Sequence, residues 1–591
     1  MVFMNRDKRK ALVEKYSGKI AVAFIVCFWL LLYGQATGFG FVWDDKHYLL
    51  SYGWYLQEDF LVKAFTTASY LDNYYRPLGV ALIHSELRWL SAPHWLHAVS
   101  LLVALLNGLL VYSIINILTS SPGEKTVPVY ALAGALLYLS HPALIESTVW
   151  ISAQFDLFVT FFLLMLIRCD LRARKFWSKF FLALFFYSLA AMSKEMAASF
   201  LFSLLLFHLF LDWSGYRDKI GGFSTRMATY SGIFLGGLGY VFMRYLALGY
   251  LVSTSDASPA SSDFLLLAKA LYHYLQIVIF PFFTISPVHE FRSQGSTDFG
   301  TWLAVFLVAV AILAAVMKKS KLALVFLAFV AAIFPVLNVP LLPSKASVLS
   351  DRYLTFPLAL LFIMLTLYFM NIIKKGRVSA RTMRYTVGAL IVISSLTVFH
   401  YAKSWKNNLS LWQWAYQRQP DSVLAASNYA GALLSYGRLE QARIVAERLF
   451  KEHPHGTAAI NLGKIQLLTG NLALAEKYFE MAGSFPLVRN GRAKRLTGLA
   501  TVSLKRGDCG KAEKYLNEAL AINPNAKYAT MYLAYALYLQ GKEDEARRYL
   551  QENNSGIGKY PFRELDYIFK DRKFIELMST PSPAIGVTSP D

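Results

Sequence analysis

Charge is what this sequence lacks most. Only 16% of its 591 residues are Asp, Glu, Lys or Arg, against about a quarter in a soluble globular domain. A charge-covered soluble surface over most of the chain is therefore excluded. Acidic residues are scarcer than basic ones, 38 against 59, for a net charge of +21. The excess lies largely in short loops between apolar runs, where membrane topology accounts for it, so the charge gives no support to nucleic acid as a partner. Cysteine is also scarce. Cys27, Cys169 and Cys509 are far apart, which excludes a disulfide framework and zinc-type spacing.

What is present is apolar sequence, 55% hydrophobic with a mean hydropathy of +0.39. Runs near the ~17–20 residues that cross a bilayer fall at 19–37, 94–119, 128–143, 153–168, 178–192, 195–213, 226–249, 300–317, 321–342, 352–373 and 384–402. The first follows a basic start (Arg6, Lys8, Arg9, Lys10, Lys15, Lys19). No small-x-small cleavage site follows it, so it reads as a retained helix rather than a signal peptide. Positive clusters at Arg168–Lys179, Arg217–Arg226, Lys318–Lys321 and Lys374–Arg384 face the cytoplasm with the N-terminus if the positive-inside rule holds. That predicts eleven crossings and an extracytoplasmic C-terminal part. Phe264–Phe283 carries Lys269, His273 and Pro281 and reads as an interfacial or re-entrant element. The expected domains are a transmembrane part, 1–403, with a large first outer loop, 38–93, then a helical array, 404–570, and a tail, 571–591. The outer loop mixes aromatics with charge (Trp43, Asp44, Asp45, His47, Asp72, Tyr74, Tyr75, Arg76) and predicts amphipathic helices along the membrane surface.

From about Trp405 the pattern becomes that of soluble amphipathic helices. Four Gly-x4-Ala pairs recur: Gly437/Ala442, Gly470/Ala475, Gly507/Ala512 and Gly541/Ala546. The glycines are 33, 37 and 34 residues apart, similar to the tetratricopeptide (TPR) period of about 34 residues. Glycine follows the turn between two helices, and alanine marks their close crossing. Leu462–Gly463 matches the Leu-Gly of the first helix of such a repeat, and Pro454 and Pro524 fall where repeats end. The fold class is therefore all-α, a polytopic helical membrane domain followed by a TPR solenoid, whose concave face usually takes peptide.

The remaining charges concentrate at span ends assigned to the outer side. Asp44–Asp45 follow the first helix. They are placed to act as a general base with a substrate or divalent-cation ligand, or they merely cap a loop. His141, Glu146 and Asp156 cluster around two short spans, the acids serving chemistry or pairing with basic residues. Lys194–Glu195 occupy an outer turn, where the lysine holds a lipid phosphate or simply pairs with its neighbour. Arg244 and Arg352 suit phosphate through the planar donor fork, or snorkel to the interface. Acidic residues near a bilayer are costly and are functional candidates by default.

The ordered series Trp43-Asp44-Asp45, Tyr75-Arg76-Pro77-Leu78, Trp95-Leu96-His97, His141-Pro142…Glu146…Val149-Trp150…Asp156, Ser193-Lys194-Glu195 and Asp351-Arg352-Tyr353 resembles the transmembrane-and-TPR O-mannosyltransferase family. That family is part of the GT-C class of glycosyltransferases. The resemblance covers nearly the whole chain and implies a GT-C-type membrane domain, a polyprenyl-phosphate-linked sugar as donor, a protein hydroxyl as acceptor and an inverting single displacement. Asp44 or Asp45 inherits the catalytic acid by position. Arg76, Lys194, Arg244 and Arg352 become the donor-phosphate candidates, with His141, Glu146, Asp156 and Glu195 around them. The short array, four clear repeats, fits a bacterial inner-membrane relative using undecaprenyl phosphate, which leaves the sugar open. No cofactor beyond a divalent cation at Asp44–Asp45 is suggested. The competing readings are a GT-C enzyme acting on a lipid or glycan, an O-antigen-ligase-type enzyme, and a non-enzymatic membrane-tethered TPR scaffold.

Overall fold

The computed structural model describes residues 6–45, 57–68, 74–90, 92–120, 129–250, 264–290, 298–337, 348–524, 526–553, 571 and 574. His47, Asp72 and all of the tail except Asp571 and Phe574 lie outside the described residues. The chain divides into two compact units, one made of residues up to 45 and 57–411, the other beginning at Trp412.

Among the described residues the first unit is helical apart from one two-residue antiparallel pairing, His289 with Leu349 and Glu290 with Val348. Its helices are α1 (Arg6–Tyr33), α2 (Phe60–Thr66), α3 (Pro77–Leu90), α4 (Pro93–Thr119), α5 (Val129–Leu139), α6 (Ile145–Val149), α7 (Gln154–Arg172), α8 (Phe176–Ser193), α9 (Phe200–Ser214), α10 (Arg217–Ile220), α11 (Phe223–Leu248), α12 (Phe264–Ile279), α13 (Pro281–Thr284), α14 (Phe299–Lys318), α15 (Lys321–Leu337), α16 (Thr355–Lys374) and α17 (Ala380–Ala402). Among the described residues nine helical stretches are long and apolar enough to cross a membrane. The predicted span 128–143 is instead a bent pair, Val129–Leu139 and Pro142–Val149, meeting at 60°. Pro142 cannot donate the helical hydrogen bond, so the chain turns there. Counting that pair as one span gives ten. The predicted span 321–342 is helical over Lys321–Leu337, 17 residues, and residues 338–342 lie outside the described residues. The run 264–283 forms α12 and α13, broken at Pro281.

With little polar surface available, helices in this unit meet through small residues. At Gly232 on α11 a Cβ would lie 2.5 Å from the Phe180 carbonyl oxygen on α8, so glycine is what lets the two backbones approach. Outward faces carry bare apolar side chains, such as Phe306, Leu313 and Val316 on α14, as lipid contact requires. In the outer loop, α2 leaves Leu61, Val62 and Phe65 exposed while burying Phe60 and Ala64.

The second unit contains four antiparallel helix pairs: α19 (Val423–Ser435) with α20 (Leu439–Glu452), α21 (Gly456–Leu468) with α22 (Leu472–Ala482), α23 (Arg489–Lys505) with α24 (Cys509–Ile522), and α25 (Lys527–Leu539) with α26 (Glu543–Glu552). They follow α18 (Asn408–Arg418), within which the two units divide. Gly437, Gly470, Gly507 and Gly541 have φ of 72°, 86°, 81° and 77°. Each sits where the first helix of a pair ends. The residue after it bonds back five positions, as in Arg438 N–H to the Leu433 carbonyl at 2.9 Å, the left-handed helix stop that favours glycine. Ala442, Ala475, Ala512 and Ala546 are wholly buried. The Gly-x4-Ala spacing thus encodes a stop followed by a close crossing.

Candidate functional site

One end of the membrane unit is built from 3-10 turns rather than clean helix starts. Pro142–Leu144 leads into α6, Ile151–Ala153 into α7, Glu195–Ser199 into α9 and Asp351–Leu354 into α16. Such turns break the helical hydrogen-bond ladder and aim successive side chains in new directions. Here they gather charged groups from segments far apart in sequence.

Three cations and three carboxylates form a chain. Arg76 pairs with Glu195 through two guanidinium nitrogens, Nε to Oε2 at 2.8 Å and Nη2 to Oε1. Lys194 Nζ donates to both Asp156 oxygens at 2.6 Å. Arg352 Nε lies 3.7 Å from Asp156 Oδ2. Its Nη1 donates to Glu146 Oε1, and its backbone N–H donates to Glu146 Oε2 at 3.2 Å. Next to Arg352, Asp351 Oδ1 meets His289 Nε2 at 2.8 Å. Aromatic faces cover the cations. Arg352 lies 4.8 Å from the Trp150 and Tyr353 ring centres, Lys194 is 4.7 Å from Tyr353, and Arg76 is 4.5 Å from Tyr74. These are cation–π distances. Burial works against charge on Arg76, but the adjacent Glu195 prevails and holds the guanidinium above its ordinary value. Burial likewise opposes charge on His289, and Asp351 overrides it.

The side chains are not equally accessible. Lys194 and Asp156 are 4% and 3% exposed, whereas Arg76 and Arg352 are each 19% exposed and Glu195 is 43%. The partner of Lys194 is Asp156, not the adjacent Glu195. His141 belongs to the framework: its Nδ1 accepts from the Ala143 N–H and its Nε2 meets the Val278 carbonyl, both at 3.3 Å. Arg244 is half-buried on α11 and bonds Tyr240, whose hydroxyl donates to the Tyr75 carbonyl at 2.8 Å. That places it one turn along α11 from a contact with the Arg76 loop.

The Trp43-Asp44-Asp45 loop is held tightly. Trp43 has φ of 49°, which is strained for a non-glycine residue. Its ring stacks on Trp150 at 4.9 Å, and its backbone N–H donates to Asn408 Oδ1 at 2.7 Å. Asp45 is fully buried. Its Oδ2 accepts from the Val42 N–H at 3.0 Å, and its Oδ1 accepts from the Ser152 N–H at 2.9 Å and the Ser152 hydroxyl at 2.5 Å. Burial pushes this carboxyl up to about 7, with Asp44 adding to the rise and the Ser152 and Val42 bonds opposing it. Asp44 is half-buried. Ser152 thus connects the acidic loop to the turn that leads into α7 and Asp156. Among the described residues no three His, Cys, Asp or Glu side chains converge as a metal site.

A second ionic cluster lies at the other end of α7 and α8, outside the sequence expectations. Asp170 Oδ1 accepts from Lys179 Nζ at 2.9 Å and from the Thr229 hydroxyl at 2.5 Å, and its Oδ2 meets His208 Nε2 at 3.1 Å. The other His208 nitrogen meets the Tyr230 hydroxyl at 2.7 Å. An Asp–Lys pair therefore ties α7 to α8 at both ends, Asp156 to Lys194 and Asp170 to Lys179. The only sequence signal was an aspartate closing an apolar run. His289 was also missed, because nothing local in Val288-His289-Glu290 marks it.

Residues 437–487 and 497–553 match the tetratricopeptide repeat family model, so the second unit is a TPR array. A comparison with curated proteins finds no match for the chain.

Proposed function

We propose that the membrane unit is a GT-C-type glycosyltransferase, moving a sugar from a polyprenyl-phosphate-linked donor to a Ser or Thr hydroxyl of a protein, with the TPR array handling the acceptor. The observation that carries this reading is the convergence of Arg76, Glu146, Asp156, Lys194, Glu195 and Arg352 at one end of the unit, where Ser152 links them to the strained Asp44–Asp45 loop. Those segments are also the ones that carry the family resemblance. The positive-inside pattern assigns this end and the array to the extracytoplasmic side, as in a bacterial inner membrane.

The roles divide by accessibility. Asp45 is enclosed by donors and shapes the loop. Asp44 takes the role of general base, removing the acceptor hydroxyl proton as that oxygen attacks the anomeric carbon. The bond from the anomeric carbon to the phosphate oxygen breaks, and the lipid phosphate leaves with the electron pair. Arg76 and Arg352 are the partly exposed cations, able to share guanidinium donors with that phosphate. Lys194 braces Asp156 beneath them, and Arg244 flanks the rim.

The test is donor consumption by the purified full chain, with a protein, a glycan or a lipid offered as acceptor. Asp44→Asn should abolish transfer while folding is retained. Full activity in both Asp44→Asn and Asp45→Asn would overturn the assignment, and transfer only to glycan or lipid would change the acceptor class. The pairing of each of the three cluster cations with a carboxylate also favours a second reading, a membrane-tethered scaffold whose charges are structural. Protein that neither binds nor consumes any polyprenyl-phosphate sugar would select it.

A further inference from the structure

The last repeat carries a feature the others lack. Its first helix, α25, presents Tyr528, Tyr532, Tyr535 and Tyr538, spaced four, three and three residues apart and hence on one face. Measured back from each repeat's turn glycine, the positions of Tyr535 and Tyr538 hold Gly431 and Leu434, Lys464 and Leu467, and Thr501 and Leu504 in the earlier repeats. The consensus first-helix tyrosine falls three residues after the Leu-Gly pair. That is Gln466 in the second repeat and Leu537 in the last, so repeat architecture does not call for this stripe.

The stripe has an occupant. Phe574, from the chain's own C-terminal segment, is wholly buried. Its ring meets Tyr535 edge-on at 5.0 Å and Tyr538 at 5.2 Å. Three residues earlier, Asp571 Oδ2 accepts from the Tyr535 hydroxyl at 3.1 Å, and its Oδ1 accepts from the Phe574 N–H at 3.1 Å. One carboxylate thus accepts from both the Phe574 backbone and the tyrosine that the ring touches. Tyrosine is a residue of recognition surfaces, offering a rigid ring and a polar handle at small entropic cost.

We propose that the tyrosine face of the last repeat is a peptide-recognition site for a segment with an acidic residue three positions before a phenylalanine, and that Asp571 and Phe574 occupy it in cis. A partner peptide of the same Asp-x-x-Phe pattern exchanges with the chain's own segment. One buried ring and one side-chain hydrogen bond make a modest contact. Its occupancy depends on the high local concentration that tethering gives. The inference rests on the array being a peptide binder and is independent of the sugar chemistry of the membrane unit.

The test uses the full chain in detergent and a fluorescent peptide copying residues 567–578, read by anisotropy. Vacating the site with Phe574→Ala should tighten peptide binding by about tenfold or more over wild type, because the tethered competitor is gone. Adding Tyr535→Phe or Tyr538→Ala should remove most of that gain. Peptides carrying Asp571→Asn or Phe574→Ala should bind several-fold more weakly. Equal binding by wild type and Phe574→Ala, or indifference to the peptide's phenylalanine, would overturn the proposal. If Phe574→Ala does not fold, a protease site introduced between 553 and 571 replaces it. After cleavage, excess peptide should displace the released C-terminal fragment, and a fragment that cannot be displaced marks a permanent end cap and refutes the exchange. Acceptor binding that survives Tyr535→Phe and Tyr538→Ala would leave the broader acceptor role of the array standing while locating it elsewhere.

Discussion

Replacing Asp156 by Asn should be among the most damaging single changes in the membrane unit. The carboxylate accepts two bonds from Lys194 Nζ at 2.6 Å and faces Arg352 Nε at 3.7 Å. Lys194 is 4% exposed, so water cannot replace the lost partner. Removing one member of a buried ion pair costs about 3–5 kcal/mol, most of it the penalty of stranding the other charge. The Tyr353 face at 4.7 Å offsets up to about 2 kcal/mol of that. The net loss expected is about 1–5 kcal/mol. Adding Lys194→Met should then recover stability to within about 1 kcal/mol of wild type, because removing both charges together is often close to neutral. Unfolding of the detergent-solubilised protein, followed by tryptophan fluorescence over the four members of the cycle, measures this directly. A loss under about 1 kcal/mol for Asp156→Asn, or a double variant less stable than the single, would refute the brace reasoning. The double variant also separates two roles of Lys194. Transfer should survive if the Lys194–Asp156 pair is only a structural brace, and should vanish if either member acts on the donor.

Three further outcomes are expected. Gly79→Ala should separate α3 from the α7–α8 pair and displace Arg76, because a Cβ at Gly79 meets the Phe155 ring and lies 2.9 Å from the Ser193 carbonyl oxygen; the readouts are lower thermal stability and weakened donor binding. Glu86, on α3, is pushed up from 4.5 to about 8 by burial, against a hydrogen bond with Gln154. Because the folded state holds this proton more tightly than the unfolded one, stability should fall as pH rises from about 4.5 through about 8, and Glu86→Gln should flatten that slope in thermal scans. Asp170→Asn should destabilise by about 3 kcal/mol or more and Asp170→Asn with Lys179→Met by less, since the single change leaves the Lys179 ammonium buried; unfolding curves decide it.

The architecture was largely legible because its signals are local. Apolar run length marks the spans, and a glycine five residues before an alanine marks each repeat's stop and crossing. The run 128–143 is bent at Pro142, and residues 338–342 of the run 321–342 lie outside the described residues. The site was legible in composition but not in connectivity. Sequence order suggested that Lys194 faces Glu195. The 3-10 turn at Glu195–Ser199 instead sends Glu195 to Arg76 and leaves Lys194 to Asp156. Asp44 and Asp45 look equivalent in sequence, and the enclosed one is distinguished by burial and by donors from Val42 and from Ser152, the latter 107 positions away. The Asp170–Lys179 pair was hidden because a lysine at a span end reads as a topology signal, and its buried partners come from α9 and α11.

Whether the charged end of the membrane unit does chemistry is the central question. The most direct measurement is transfer from a polyprenyl-phosphate sugar by the purified full chain, comparing wild type with Asp44→Asn under conditions where both retain the same unfolding midpoint. Product is expected from wild type and none above background from Asp44→Asn. Equal product from the two, or no donor binding by wild type, would contradict it.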